Sequence, residues 1–557
     1  MQDRRKAYWA EFSRRAFEHH LRTGEAYVPV ARSLSRRALL GGLSAAGMLA
    51  ATGAHATDVP FTTFAYPATG GSANRTDPDR WADYANILEY GADNTGTNDC
   101  SAALNSAMTS GKGRIVAPAG TYKFTEGINV DALGGNGTFI LEGAGNGTVF
   151  TASMDDFIFR KVLRNTGSAG GSRAIRGIKF NNTKSTLASA ITTINGASWS
   201  ASITGGNLNG QPGVTVTLSA PHGYTVGQSR LMNIASVSPS GYNGLVGCYF
   251  DGASSFQYHL DVDPGSYVSG GSYAPRGGGV SMIAYYGGGL YDCDMAGYYA
   301  YYGAQDCTVK LYNCNGNGAG GIGVGFWMGG ESAVFGFDVT GFGTAILAEP
   351  SGCVGLGLHG GRVEINGNGI DLSGASKVKV DHTTFEANSG DAIVIHGSGS
   401  ITLDTLSVHG TAANSSVNGL HATGSVNQIQ VQNTNFDGDF SGNCITFDSG
   451  VLSGSYAIRF RSVGLSNSHG APGTGLLSYP VSTVAIQSDD GTNFTPNSTV
   501  ANRPADAYCL EGDLWLFTDG NTSTFGADIV AAGSGSTRVI GRFSSNGTKW
   551  TVVALAP

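Results

Sequence analysis

Charge is scarce in this chain. Only 13% of its 557 residues are Asp, Glu, Lys or Arg, and they leave a formal net charge of −8 and a pI near 5.7. Coating a polyanion needs a basic face, so the balance argues against nucleic acid as a partner. The 8 cysteines form no CxxC pair and no His/Cys spacing of the kind that holds zinc. No segment reaches the length of a membrane span, which predicts a soluble mature protein. Missing too are a Ser/His/Asp elbow, a phosphate loop, an HExxH helix and a dinucleotide fingerprint. Glycine, in contrast, is abundant: 86 residues against 16 prolines, roughly twice ordinary usage. It is spread through alternating apolar segments, so it reads as turn chemistry rather than low-complexity disorder. With 41% hydrophobic residues a large core is feasible.

Between Cys307 and Gly454 the chain can be written as aligned lines: VKLYNCNGN, FGFDVTGFG, LGLHGGRVE, VKVDHTTFE, ITLDTLSVHG and IQVQNTNFD. In register they put Phe342, Val363, Phe385, Val408 and Phe436 in one apolar column, followed by Glu364, Glu386, His409 and Asp437. A second apolar segment follows in each line (AILAE, GIDLS, AIVIHG, GLHATG, CITFD). The spacing of roughly 22 to 28 residues marks a stacked repeat. Each line is too short and glycine-rich to bury a core alone, so it must stack on its neighbours. Short alternating segments broken by Gly, Asn, Asp and Ser are strands and turns. The expected fold is all-β, a parallel β-helix. Aligning LYDCDMAGYY with LYNCNGNGAG sets Cys293 beside Cys314 on neighbouring coils, either as a disulfide or as two small buried residues.

In chain order, residues 1–30 are charged and polar. Ser33 to Ala56 carries Arg36-Arg37, a short apolar run and Ala54-His55-Ala56, a small-x-small cleavage pattern. It resembles a twin-arginine export signal, assigning residues 1–56 to a signal peptide and the protein to the periplasm or the exterior. Residues 57–85 read as an extended linker. From Ile87 to Phe124, Asp99 is placed to cap a helix whose apolar face is Ala102, Ala103, Ala107 and Met108, and a strand Arg114–Val116 follows. A helix laid over the open first coil blocks end-to-end association. The pattern YGADNTGTNDCSAALNSA…GKGRIVAPAGTY resembles the opening of the pectate-lyase-like superfamily, which includes rhamnogalacturonase-like and polygalacturonase-like glycosidases and phage tailspike depolymerases. The resemblance is tight over about 40 residues and loose to about residue 485. It implies a right-handed parallel β-helix over 86–486 with an N-terminal capping helix, a polysaccharide partner, and, from tailspikes, a homotrimer.

Between 195 and 276 the rhythm gives way to strict alternation with HG, SG, NG and DG turns, an inserted small antiparallel β domain similar to a module of phage tail proteins. Its His222 reads as a turn residue. The solenoid resumes with Tyr285, Tyr286, Tyr291, Tyr298, Tyr299, Tyr301 and Tyr302, then Phe326 and Trp327. Tyr299, Tyr301 and Trp327 are candidates for a sugar platform, with ordinary coil packing the competing reading. Residues 487–557 resemble a C-terminal β module of phage proteins.

Carboxylates, histidines and one arginine remain to carry chemistry. One stack holds Glu364, Glu386, His409 and Asp437; a second holds Asp338, His359, Asp381 and Asp404 with Arg362 and His382; a third holds Glu349, His396 and Asp448. Glycoside hydrolysis needs an acid to protonate the leaving oxygen and a carboxylate to attack or activate water. Adjacent coils hold same-column carboxylates roughly 5 Å apart, the retaining separation. Glu364 and Glu386 are the catalytic candidates; Asp338, His359, Arg362, Asp381 and His382 are the substrate-binding ones. Elimination on a uronic acid needs a cation against the carboxylate and a base, and only that reading brings in calcium, on the Asp stack; hydrolysis needs no cofactor. Corner carboxylates that merely accept backbone hydrogen bonds are the structural alternative. The polygalacturonase-like motifs NTD, DD, GHG and RIK are absent, and His359-Gly360-Gly361-Arg362 matches them only superficially. No catalytic residue carries over. The reading is an exported glycoside hydrolase acting on a complex or acidic bacterial exopolysaccharide, with a lyase and a non-catalytic, tailspike-like adhesin as alternatives.

Overall fold

The structure is a computed structural model. It describes residues 83–466 apart from 131–138, 162, 164–172, 185–187, 205–207, 209, 284–286, 305–306, 319, 374, 412–416 and 449–457, with isolated strands on either side. The expected signal peptide, most of the linker, Tyr285 and Tyr286 fall outside the described residues.

Three strands make each coil, and each strand pairs in parallel with its counterpart on the next coil. Paired residues on neighbouring coils lie 20 to 34 positions apart, except where the insert intervenes. The three strand positions form three faces, which we call the first, second and third sheets; on one coil they are Lys377–Asp381, Thr384–Glu386 and Ile393 onward. Inward positions stack like on like. Val339, Val363, Phe385, Val408 and Phe436 form one such column in the second sheet, all fully buried. Ile346, Ile370, Ile393, Leu420 and Ile445 form another in the third. One apolar cluster runs from Ala85 to Val463. Alternation thus repeats the same residue class at the same depth, which a stack of coils requires.

Val339 heads the second-sheet column, correcting the expected Phe342. Gly341 turns at φ +80° directly after Thr340 and donates its N–H to Ile365 O, so Thr340 pairs with Glu364 and Phe342 falls beyond the corner. Between the first and second sheets a single left-handed residue makes the bend, among them Asp292, Asn313, His382, Thr405 and Asn433, at φ +49° to +54°. Asx residues tolerate this region best, which accounts for much of that selection.

The capping helix forms over Ser101–Thr109, with Asp99 Oδ1 accepting from Ser101 N at 3.2 Å and Ser101 Oγ at 2.7 Å. Its buried side is Ser101, Ala103, Leu104, Ala107 and Met108, and Ala102 is exposed. The insert is a six-stranded antiparallel sheet from Ile194 to Arg276 with its own core, including Val214, Phe250, Phe256 and Tyr258. His222 closes a turn: Nε2 donates to Gly252 O at 2.7 Å and Nδ1 accepts from Tyr224 N at 2.9 Å. A second small cluster, Phe157, Leu231, Tyr299 and Tyr302 among others, seats the insert on the third sheet. Buried Asp156 reinforces the seat, pairing with Arg160 of its own coil and, at 3.0 Å, with Arg230 of the insert. Cys293 and Cys314 lie in one buried ladder as free thiols. In the C-terminal module four strands between Asn497 and Leu555 form a separate sheet.

Candidate active site

At or one residue before the end of the second-sheet strands stand, coil after coil, Thr340, Glu364, Glu386, His409 and Asp437, each one residue past a buried apolar anchor. Glu364 and Glu386 are directly opposite on adjacent strands, which sets their backbones about 4.8 Å apart. Glu364 is 19% exposed and Glu386 is exposed. Arg362, one coil below Asp338, ties the group together: Nη2 reaches Asp338 Oδ2 at 2.6 Å and Nη1 reaches Glu364 Oε2 at 3.2 Å. Further along the column His409 Nδ1 meets Asp437 Oδ1 at 2.6 Å.

The corner after the two glutamates is strained. Ile365 and Ala387 sit at φ +57° and +55°, a region that costs a β-branched residue most. Buried amides beneath hold it in place. Asn366 Nδ2 donates to Glu364 O, Val339 O and Asn388 Oδ1, and Asn388 Nδ2 donates to Val363 O. The carboxylates are therefore fixed from below by a hydrogen-bonded ladder rather than left on a loose loop.

The second expected stack divides. His359, Asp381 and Asp404 do share a first-sheet column, but Phe335 precedes His359 there, and Asp338 lies beside Arg362 in the second sheet. The line holding Asp338 is thus three residues out of the expected register, since Phe335 pairs with His359 and Asp338 with Arg362. Asp381 receives His359 Nδ1 and Lys379 Nζ, each at 2.9 Å. Burial works against its charge, yet Lys379 and His359 hold its carboxyl below the usual range. His382 is 69% exposed at the bend, 3.5 Å from Asp381. With both Asp381 oxygens engaged, by His359 and Lys379, and Asp338 in another column, the Asp stack does not fit calcium, which wants several free carboxylate oxygens. Among the described residues no group of three His, Cys, Asp or Glu is arranged for a metal.

The tyrosines correct the sugar-platform reading. Tyr301 points into the lumen, fully buried, its hydroxyl 3.5 Å from Cys307 Sγ. Tyr299 is 6% exposed under the insert, edge-on to half-buried Trp327. Neither tyrosine offers a ring face to solvent, because the insert covers this stretch of the third sheet. Tyr291 is stacked instead with Tyr312 at 5.0 Å, Tyr312 with Phe335 at 4.9 Å, and Phe335 with His359 at 4.8 Å.

The third set also separates: Glu349 is buried, His396 Nδ1 contacts Thr423, and Asp448 belongs to a network the motifs did not reveal. His421 Nδ1 meets Asp391 Oδ2 at 2.7 Å and its Nε2 meets Asp448 Oδ1 at 3.2 Å. The Asp391 hydrogen bond above all, then Asp448, raise the imidazole to about 9 against burial. A signal was present: Asn368-Gly-Ile, Asp391-Ala-Ile, Asn418-Gly-Leu and Asn443-Cys-Ile put a polar residue at one position of four successive third-sheet lines.

A parallel β-helix bearing stacked surface carboxylates is the class so defined. Residues 84–209 match the family model described as rhamnogalacturonase A/epimerase, pectate lyase-like. Among solved structures, the chain is similar to the A-module of the Azotobacter vinelandii mannuronan C-5 epimerase AlgE4 (11% identity, 76% of this chain and 99% of that one, TM-score 0.37). It is also similar to the tailspike of Escherichia coli bacteriophage HK620 (10%, 80% and 70%, 0.42) and to the catalytic unit of a Streptomyces thermodiastaticus α-1,3-glucanase (13%, 77% and 70%, 0.34). No curated protein sequence matches it.

Proposed function

We propose that the protein is an exported glycoside hydrolase that cleaves a complex or acidic polysaccharide with retention of configuration. The observation that carries this is the in-register pair Glu364 and Glu386 on neighbouring coils, whose backbone spacing of about 4.8 Å lets the two carboxyl groups adopt the roughly 5 Å separation of a retaining pair. Arg362 fixes the orientation of Glu364, which suits it to attack the anomeric carbon while Glu386 protonates the departing glycosidic oxygen. Water, deprotonated by Glu386, then opens the glycosyl ester and releases Glu364. The site lies at the outer corner where the second-sheet strands end, with Glu386 exposed, and a polymer can reach it from the side. Elimination is less well served: Arg362, the cation nearest the glutamates, already holds two carboxylates. The sequence of residues 33–56 supports export, and among the described residues no helix is long and apolar enough to cross a membrane. Asp338, beside Arg362 in the same sheet, and His359 and Asp381, across the bend in the first sheet, are the substrate contacts of this reading, and a homotrimer is the assembly the tailspike resemblance implies.

The test is incubation of the mature protein with bacterial exopolysaccharides, following reducing ends, unsaturated-uronate absorbance and the anomeric configuration of the first product. Reducing ends without absorbance, with retention, are expected. Absorbance rising in step with reducing ends would make it a lyase; binding without either makes it an adhesin.

A further inference from the structure

The coils leave few apolar side chains in solvent. Among their described residues, the large ones that stay exposed are Ile322, Val354, Ile365 and Val417. All but Val354 lie in segments that join the second sheet to the third. Hydrogen bonds tie those segments together. Gly321, next to Ile322, donates to Gly341 O, and Gly341 donates to Ile365 O. On the other side Gly390 donates to Gly367 O, and Val417 donates to Gly390 O. Ile322 is therefore two coils before Ile365 and Val417 two coils after it, a row of roughly 19 Å along the corner where Glu364 and Glu386 stand. Ile365 follows Glu364 directly, and its N–H donates to Glu386 O at 3.1 Å. One residue past Thr340, Glu364, Glu386, His409 and Asp437 come Gly341, Ile365, Ala387, Gly410 and Gly438. The chain turns left-handed there at Gly341, Ile365, Ala387 and Gly438. Only the coil that carries Glu364 puts a branched side chain at this turn, at φ +57°, where such a residue is least tolerated. Packing does not repay that strain, because Ile365 is 55% exposed. The fold demands the turn but not the isoleucine, and strain kept beside a reacting centre points to function.

We propose that Ile365, flanked along the corner by Ile322 and Val417, is a specificity-determining residue that receives an O-acyl substituent of the polysaccharide beside the glutamate pair. This rests on the hydrolase reading for the position of the reacting sugar. The side-chain chemistry selects the group. A bare pyranose ring is matched by a flat aromatic face, whereas this row holds branched aliphatic side chains and no ring. Short apolar side chains spaced by Gly341 and Ala387 match a small apolar group, such as the methyl of an acetyl ester, and the contact removes both from water. A free hydroxyl in its place would lie against methyl groups that offer it no hydrogen bond, so the unacylated polymer is the poorer ligand. A second copy of the chain is served less well. Three side chains at roughly 10 Å intervals, beside two carboxylates, make no continuous apolar area of the kind a subunit contact needs.

The experiment uses the full chain carrying Glu364→Gln, so that binding is read without turnover. Affinity electrophoresis is run in gels containing xanthan, an acidic bacterial exopolysaccharide with O-acetyl esters, or the same xanthan de-acetylated in dilute alkali. The acetylated polymer should bind about threefold to tenfold more tightly, the lower end of what a methyl contact gives because the corner is open and not an enclosed pocket. Adding Ile365→Gly should bring the two forms level while Tm rises by about 1 °C or more, since glycine accepts the left-handed turn. Val417→Ser, two coils away, should narrow the preference without closing it. Equal retardation by the two forms, retardation by neither, a preference that survives Ile365→Gly, or a Tm that falls in that variant would overturn the assignment. So would a wild-type oligomer that Ile365→Gly takes apart in size-exclusion chromatography with light scattering, because the row would then be a subunit contact. Failure of the hydrolase reading shows separately, as the absence of reducing ends from the wild-type protein while the preference for the acetylated polymer persists.

Discussion

At the residue scale the catalytic proposal stands on two side chains whose roles require a carboxyl and not merely its shape. Glu364→Gln and Glu386→Gln preserve volume at positions that face solvent, so folding should be nearly untouched. Turnover should fall by roughly 10²–10⁴-fold in each, measured as reducing ends released per minute at matched Tm; full activity in either variant removes that residue from the assignment. His421 offers a second check. Held between Asp391 and Asp448, it titrates at about 9 in the folded chain and at about 6.5 when unfolded. Folding therefore favours the imidazolium, and its contribution is complete below about pH 6.5 and lost as pH rises through about 9. Wild-type Tm should drop across that window, whereas His421→Gln, less stable at neutral pH, should show a flatter profile in the same scan. An equal slope in both would mean that the two aspartates do not stabilise the charged ring.

At the element scale, parts of the architecture were legible and parts were not, for reasons that can be named. The strands alternate and the corners carry Gly or Asx, so the second-sheet column from Val363 to Phe436 could be read directly. The line FGFDVTGFG could not, because Val339 and Phe342 are both apolar and only the turn at Gly341 decides between them. The same three-residue slip of that line moved Asp338 out of the His359 column. Burial by a distant segment is the other blind spot: nothing local to Tyr299 or Trp327 says that a domain folded from residues 194–276 will cover them. That docking hinges on Asp156, fully buried between Arg160 and Arg230. Asp156→Asn leaves two guanidinium groups without their carboxylate in a dry interface, a loss of about 3–5 kcal/mol. The insert should detach before the coils melt, seen as early cleavage between 194 and 276 in limited proteolysis. A variant as resistant as wild type would show that the apolar contacts alone seat the insert.

At the scale of the whole molecule the site is a consequence of winding. Glu364 and Glu386 are 22 residues apart in sequence and become neighbours only because their coils stack in register, so the chemistry inherits whatever stability that stacking has. A solenoid's coils touch only the coils on either side, so stability is close to a sum of local terms. Phe385 is the fully buried anchor directly before Glu386, between Val363 and Val408. Phe385→Ala should cost about 3–5 kcal/mol through the cavity it leaves. In a compact globular core that loss spreads over the whole domain, but here it should stay near the affected coil. Hydrogen exchange should then accelerate in 356–364, 377–386 and 400–409, while the capping helix and the insert keep wild-type protection. Turnover should fall with it, because the opposing glutamates lose their common floor. Uniform acceleration from the helix at Ser101 to Leu465 would instead make the stack one cooperative unit, and the site would then depend on every coil rather than on its own three.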